Sequence, residues 1–161
     1  MDKDTVVKQW YKGVRIAHRA HYEAARQFEV RNLYLGVPII ILTAASGTSI
    51  LATLGVETDV RAKILIGGLS IVASILASLQ TFLRYSEMAE KHKTVATKYG
   101  ILRRELDEIM LTPQKGKSLK PEFITDFRKR WDAIDEESPS IPEKIREHVT
   151  AEINASMSKP K

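Results

Sequence analysis

The chain is 161 residues long, 28% charged, free of cysteine and net +5 at pH 7, which suits one compact unit and excludes a disulfide framework, a thiolate zinc site and a cysteine nucleophile. The positive charge is spread, +3 over residues 1–32, zero in the segment ETDVRAK and +2 beyond Leu83, so it lacks the concentrated stripe of a nucleic-acid binder. No nucleic acid is expected as a partner.

Residues 5–32 carry a seam at spacings of three and four, Val14, His18, His21, Ala25, Phe28 and Asn32, which is one face of a helix. It leads into LYLGVPIIILTAASGTSILATLGV, Leu33 to Val56, 24 residues without a charged side chain. As a helix this run reaches about 36 Å, beyond the roughly 30 Å hydrocarbon core of a bilayer. A surface helix of a soluble domain would show charges on its outer side, so the run reads as a membrane span. It starts too deep in the chain, behind too mixed a charge, for a cleaved signal peptide. The seam continues through Leu35, Ile39, Leu42, Ser46, Ser49 and Thr53 and turns small and hydroxylated with depth. Gly36 and Pro38 stand at the start of the span, where Pro38 frees the carbonyl of Tyr34. They read as a bend where the helix enters the membrane; a gating hinge is the sharper alternative.

A turn near Val60 separates this run from a second one, Ile64 to Leu83, 20 residues without charge. The pattern predicts a helical hairpin. Within about 20 residues of the span ends, Arg15, Arg19, Arg26, Arg31, Arg84, Lys91, Lys93, Lys98 and Arg103 lie on the outer flanks, against Arg61 and Lys63 in the turn. The positive-inside rule then places both termini in the cytoplasm.

From Gly67 a heptad seam runs across the membrane boundary: Gly67, Ser70, Ser74, Ser78, Thr81, Tyr85, Met88, His92, Val95, Tyr99, Leu102, Leu106, Ile109. It predicts one continuous helix from the second span to about Met110. Small hydroxylated positions let backbones approach in lipid, so Gly67, Ser70, Ser74, Ser78 and Thr81 are assigned to hairpin packing against Ser46, Ser49 and Thr53. Outside the membrane, residues 5–32 and 84–111 are expected to form an antiparallel coiled coil in the cytoplasm, bringing His21 towards Tyr99 and Phe28 towards His92. Gln80 lies off the stripe and needs a partner from elsewhere, such as another subunit. With Thr43 and Thr48 it is a candidate pore or inter-subunit polar group.

After residue 111 the tract TPQKGKSLKP breaks the helix. A short amphipathic helix follows with Phe123, Phe127, Trp131 and Ile134 on one face, then SPSIP, then a last helix. Its start has the Ser140 to Glu143 capping-box spacing, and Ile145, Val149 and Ile153 form its stripe. These stripes are expected to fold back on the hairpin or on a neighbouring subunit. The organisation is thus a hairpin over residues 1–111 and C-terminal cytoplasmic helices over 112–161.

Chemistry-bearing sets are absent. His18 and His21 share a helix face, yet a metal site would need a further ligand, with His92 predicted a turn or more away; packed seam histidines are the plainer reading, and pH sensing the sharper one. No phosphate loop, nucleophile elbow or catalytic carboxylate pair is present. An enzyme is not expected, nor a cofactor or a metal. The acidic cluster Asp135, Glu136, Glu137 reads as a solvated helix end, and the basic run Arg128, Lys129, Arg130 as a solvated face. Spans without ionisable groups argue against a proton-coupled transporter.

The tracts YLGVPIIILTAASGT and RYSEMAEKHKTVATKYGILRREL, bracketing the two-span hairpin, resemble the SLATT family of prokaryotic proteins, associated with cyclic-oligonucleotide synthetases and nucleotide-sensing domains. The likeness covers about residues 5–111. It rests on Leu35, Gly36, Val37 and Pro38, on the small residues through Gly47, and on the spacing of Ala89, His92, Ala96, Tyr99 and Leu102. It implies an all-α membrane effector of antiphage or other conflict systems that oligomerises, opens a pore and depolarises the inner membrane when triggered. Its partners would be the lipid bilayer, further copies of itself, and either a cyclic-nucleotide synthetase product or a separate sensor protein. A non-conducting scaffold that docks a cytoplasmic partner through its coiled coil and C-terminal helices is the alternative.

Overall fold

The computed structural model describes residues 3–53, 59–111 and 120–158. Among them every regular element is a helix: α1 (Lys3–Thr53), α2 (Val60–Leu83), α3 (Tyr85–Leu111), α4 (Pro121–Glu137) and α5 (Glu143–Ser158). The end of the first predicted span (residues 54–56) and the TPQKGKSL tract (residues 112–119) fall outside the described residues, as does the side chain of Thr53. The chain divides into two compact units, one of Met1–Arg26 with Ala89–Lys161 and one of Gln27–Met88.

The ends of the helices follow local chemistry. α2 begins four residues before the charge-free run, because the Asp59 carboxylate accepts the Arg61 backbone N–H at 3.3 Å and caps the helix there. α1 continues through Pro38, although the proline removes one backbone donor. α4 opens on Pro121, whose missing N–H costs nothing in a first turn. In α5 the first carbonyl to accept is that of Pro142, from Ile145 at 3.0 Å and Arg146 at 3.2 Å. Pro142 therefore occupies the capping position, and Ser140 lies too far upstream to serve as the cap that the Ser140 to Glu143 spacing predicts.

The expected continuous helix from Gly67 to Met110 is interrupted. Arg84 adopts the left-handed conformation (φ 47°, ψ 36°) and ends α2, its N–H donating to the Gln80 carbonyl at 3.3 Å. A non-glycine residue in this region costs roughly 1–2 kcal/mol. The Arg84 carbonyl in turn accepts the Met88 N–H at 3.1 Å, so α3 restarts at once. The guanidinium also pairs with Glu87.

In the first unit the outer part of α1 runs antiparallel to α3, and α4 and α5 complete a four-helix arrangement. One core cluster joins Val7 and Val14 of α1 to Val95, Tyr99, Leu102 and Leu106 of α3 and to Phe127 and Ile134 of α4. The Phe127 ring, fully buried, stacks on Trp10 at 5.3 Å and meets the edge of Trp131 at 6.0 Å. Gly13 is required there, since a Cβ would lie 2.9 Å from the Trp131 ring. A second cluster sets Ile145, Val149 and Ile153 of α5 against Ala20 and Ala24 of α1. The amphipathic stripes of α4 and α5 thus fold back on this chain's own helices. Ion pairs ring the outside: Arg19 with Glu152 at 2.8 Å, and Arg130 with Glu105 and Asp126, both at 2.8 Å.

The second unit holds the apolar parts of α1 and α2. The most apolar 18-residue window of each is only 6% buried within the chain, whereas the core helix of a soluble protein would be mostly covered. Tyr34, Ile40, Leu51, Leu65 and Phe82 are each at least 67% exposed. Apolar surface on this scale needs a nonaqueous surrounding, and the two helices are read as membrane spans.

Candidate functional site

Within the hairpin unit, α1 turns Asn32, Leu35, Gly36, Ile39, Leu42, Ser46 and Ser49 inward. On α2 the less exposed face is Ala62, Ile66, Ser70, Ala73, Ala77 and Gln80, with Ala73 buried. Of the stripe assigned to hairpin packing, only Ser70 lies on this face; Gly67, Ser74, Ser78 and Thr81 are exposed. The reason is the left-handed residue at Arg84. A seam traced backwards from α3 through that break arrives about one residue out of phase, close to a quarter turn of helix.

The hydroxyls meet their needs locally. Thr43 donates to the Ile39 carbonyl at 2.8 Å, Thr48 to Ala44 at 2.9 Å and Ser49 to Ala45 at 2.7 Å. Ser70 donates to Ile66 at 3.0 Å, Ser74 to Ser70 at 2.9 Å, Ser78 to Ser74 at 2.9 Å and Thr81 to Ala77 at 3.0 Å. A hydroxyl bonded to its own helix can face lipid, so hydroxylation alone does not mark an inward face. Thr43 and Thr48 point out of the hairpin and are not brought together with Gln80. Ser46 is the exception among the serines, buried with no hydrogen-bond partner among the described residues.

Gln80 finds its partner within the same chain. Its Nε2 donates to Asn32 Oδ1 at 3.4 Å, half-buried between the two spans. Gly36 makes the room, because a Cβ there would lie 3.2 Å from that nitrogen. Gly36 thereby has a packing role that the hinge reading did not include.

In the other unit the seam histidines form a buried cluster. His21 and His92 are 2% and 0% exposed, and their Nδ1 atoms are 2.9 Å apart, one donating and the other accepting. The Tyr99 ring stacks on His21 at 5.7 Å, and its hydroxyl donates to Asp135 of α4. His18 stands beside Gly100, where a Cβ would come within 3.2 Å of its ring nitrogen. Burial lowers the His21 pKa to about 4, helped by repulsion from His92 and Arg146. Burial also lowers His92, and it lowers His18 together with Arg103 and Arg104. All three rings are therefore neutral at pH 7. Tyr99 is raised, first by burial and then by its bond to Asp135. Tyr99→Phe is expected to cost about 1–2 kcal/mol by removing this charge-assisted bond, with the Asp135→Asn variant giving a smaller loss in the same denaturation series.

A hydrogen bond between two Nδ1 atoms leaves no space for an ion between them. Among the described residues no group of three or more His, Asp or Glu gathers as a metal site.

Residues 4–137 match the family described as the SMODS and SLOG-associating 2TM effector domain, family 4. The chain belongs to this SLATT family. No curated protein and no solved structure matches it. The SLATT match runs from the start of α1 to the last residue of α4, and α5 lies beyond it. Membership makes this chain a two-helix membrane effector domain of conflict systems. Two functional contacts of this SLATT chain escaped the sequence reading. Asn32 is a seam residue, but a turn near Val60 mirrors it onto Met88 rather than Gln80, and Asp135 carries no signal, being one of three adjacent acids at a helix end.

Proposed function

We propose that this SLATT chain oligomerises in the prokaryotic inner membrane, with both termini cytoplasmic, and opens a pore that depolarises the cell when triggered. The observation that carries the reading is a hairpin with almost bare apolar flanks in a family of membrane effectors. Two helices cannot enclose a conduit, so conduction requires several copies. The stripe Gly67, Ser74, Ser78 and Thr81, small, exposed and internally hydrogen-bonded, is the face on which α2 meets the next copy, since small residues allow close helix approach in lipid. A nucleotide second messenger or a separate sensor protein supplies the trigger.

Induced expression in bacteria carrying a potential-sensitive dye tests the reading. Loss of potential before loss of viability supports a pore, whereas an unchanged potential at verified membrane levels favours a non-conducting scaffold. Ser74→Leu is expected to reduce the oligomer mass in detergent while the hairpin stays folded. Gln80→Leu is expected to do the reverse, loosening the hairpin by about 1 kcal/mol through the lost Asn32 bond and leaving the mass unchanged. A mass that falls with Gln80→Leu and holds with Ser74→Leu would place the intersubunit contact on the other face.

A further inference from the structure

The four-helix unit contains a cleft of about 420 Å³ between α1, Tyr99, the link from α4 to α5, and α5 itself. That volume falls within the range of roughly 300–1,000 Å³ typical of small-molecule sites. α1 leaves it open because its contribution is small at Gly13, Ala17 and Ala20.

The polar groups around the cleft have unused capacity. His21 lines it while almost wholly buried, and with Nδ1 committed to His92 its Nε2 has no hydrogen bond among the described residues. This nitrogen is therefore the ring atom left to meet a ligand in the cleft. Arg146 also lines the cleft and makes no ion pair among the described residues, in contrast to Arg19, Lys98 and Arg130. The hydroxyls of Ser140 and Thr150 border the same space without a hydrogen bond among the described residues. Asp135 spends Oδ1 on the Tyr99 hydroxyl and keeps Oδ2.

A guanidinium, two hydroxyls and a ring nitrogen offer more donors than the two oxygens of a carboxylate can use, whereas a phosphate accepts at three oxygens. The second oxygen of Asp135, an exposed side chain, can accept an O–H or N–H donor on the same ligand. We propose that this cleft binds a small hydroxylated or aminated phosphate ester, its phosphate held by Arg146, Ser140, Thr150 and His21 Nε2 and its donor group by Asp135. The ester could be a soluble metabolite or the headgroup of a phospholipid, which present the same chemistry.

Glycerol 3-phosphate is the probe, titrated calorimetrically against the full chain in detergent, with the histidine ring nitrogens followed by NMR. Saturable binding at one site per chain is expected, weakened at least tenfold by Arg146→Gln and severalfold by Thr150→Val, with the His21 signal shifting on titration. Absence of saturable binding, equal affinity in both variants, or an unmoved His21 signal overturns the proposal. Glycerate binding as tightly as glycerol 3-phosphate overturns the phosphate assignment. If nanodiscs containing phosphatidylglycerol block the probe and phosphatidylcholine nanodiscs do not, the ligand is a headgroup; equal binding in both makes it a soluble ester. None of these readouts depends on conduction, so the site stands or falls apart from the pore.

Discussion

Acidification from pH 7 to pH 4.5 is expected to destabilise the four-helix unit by about 2–3 kcal/mol through His21 alone. The unfolded chain binds a proton at this residue below about pH 6.5, while the folded chain resists it until about pH 4. Between those values the unfolded state holds more protons, so stability is complete above pH 6.5 and falls as pH drops towards 4. His92 and His18, lowered in the same direction, add to the loss. Urea unfolding in mild detergent at stepped pH reads the slope directly. The double variant His21→Phe with His92→Leu replaces both members of the pair by apolar groups and should flatten the curve; a wild-type stability that is level from pH 7 to 4.5 would contradict the buried neutral pair.

Phe127→Ala is expected to cost about 3–5 kcal/mol, the range for emptying a fully buried aromatic position. Its ring is shared by Trp10 of α1 and by Trp131 and Phe123 of α4, so the cavity cannot close by the movement of one side chain. Domain stabilities are about 5–15 kcal/mol, and the loss would take a large share. A lower denaturation midpoint, followed by tryptophan fluorescence from Trp10 and Trp131, checks it. A change below about 1 kcal/mol would mean that α4 is not held to α1 by this ring.

Much of this architecture was legible because the strongest signals are long-range averages. Twenty-four and twenty residues without a charge can be read without knowing which way any one side chain points. The stripe of α4 and the Ile145, Val149 and Ile153 stripe of α5 were likewise readable from spacing, and both end in the core. The helix phase of α2 was not, because it depended on a single backbone conformation at Arg84, and arginine carries no sequence mark of a left-handed residue as glycine does. The serines misled for a related reason: they satisfy themselves on the preceding turn and so fit an outward face as well as an inward one. On the wrong phase Gln80 has no neighbour and needs a partner from elsewhere, such as another subunit; the corrected phase gives it Asn32. Asp135 had only its place in an acidic run, and what distinguishes it is the Tyr99 hydroxyl 36 residues away in sequence.

The most direct test of the pore is ion and dye release from liposomes reconstituted with the full chain, read together with the subunit number of the same preparation. Release is expected to rise with the fraction of chain in oligomers of three or more copies and to fall when Ser74→Leu breaks the assembly. Sealed vesicles around a correctly inserted, stable oligomer, or release that is unchanged in a monomer, would contradict it.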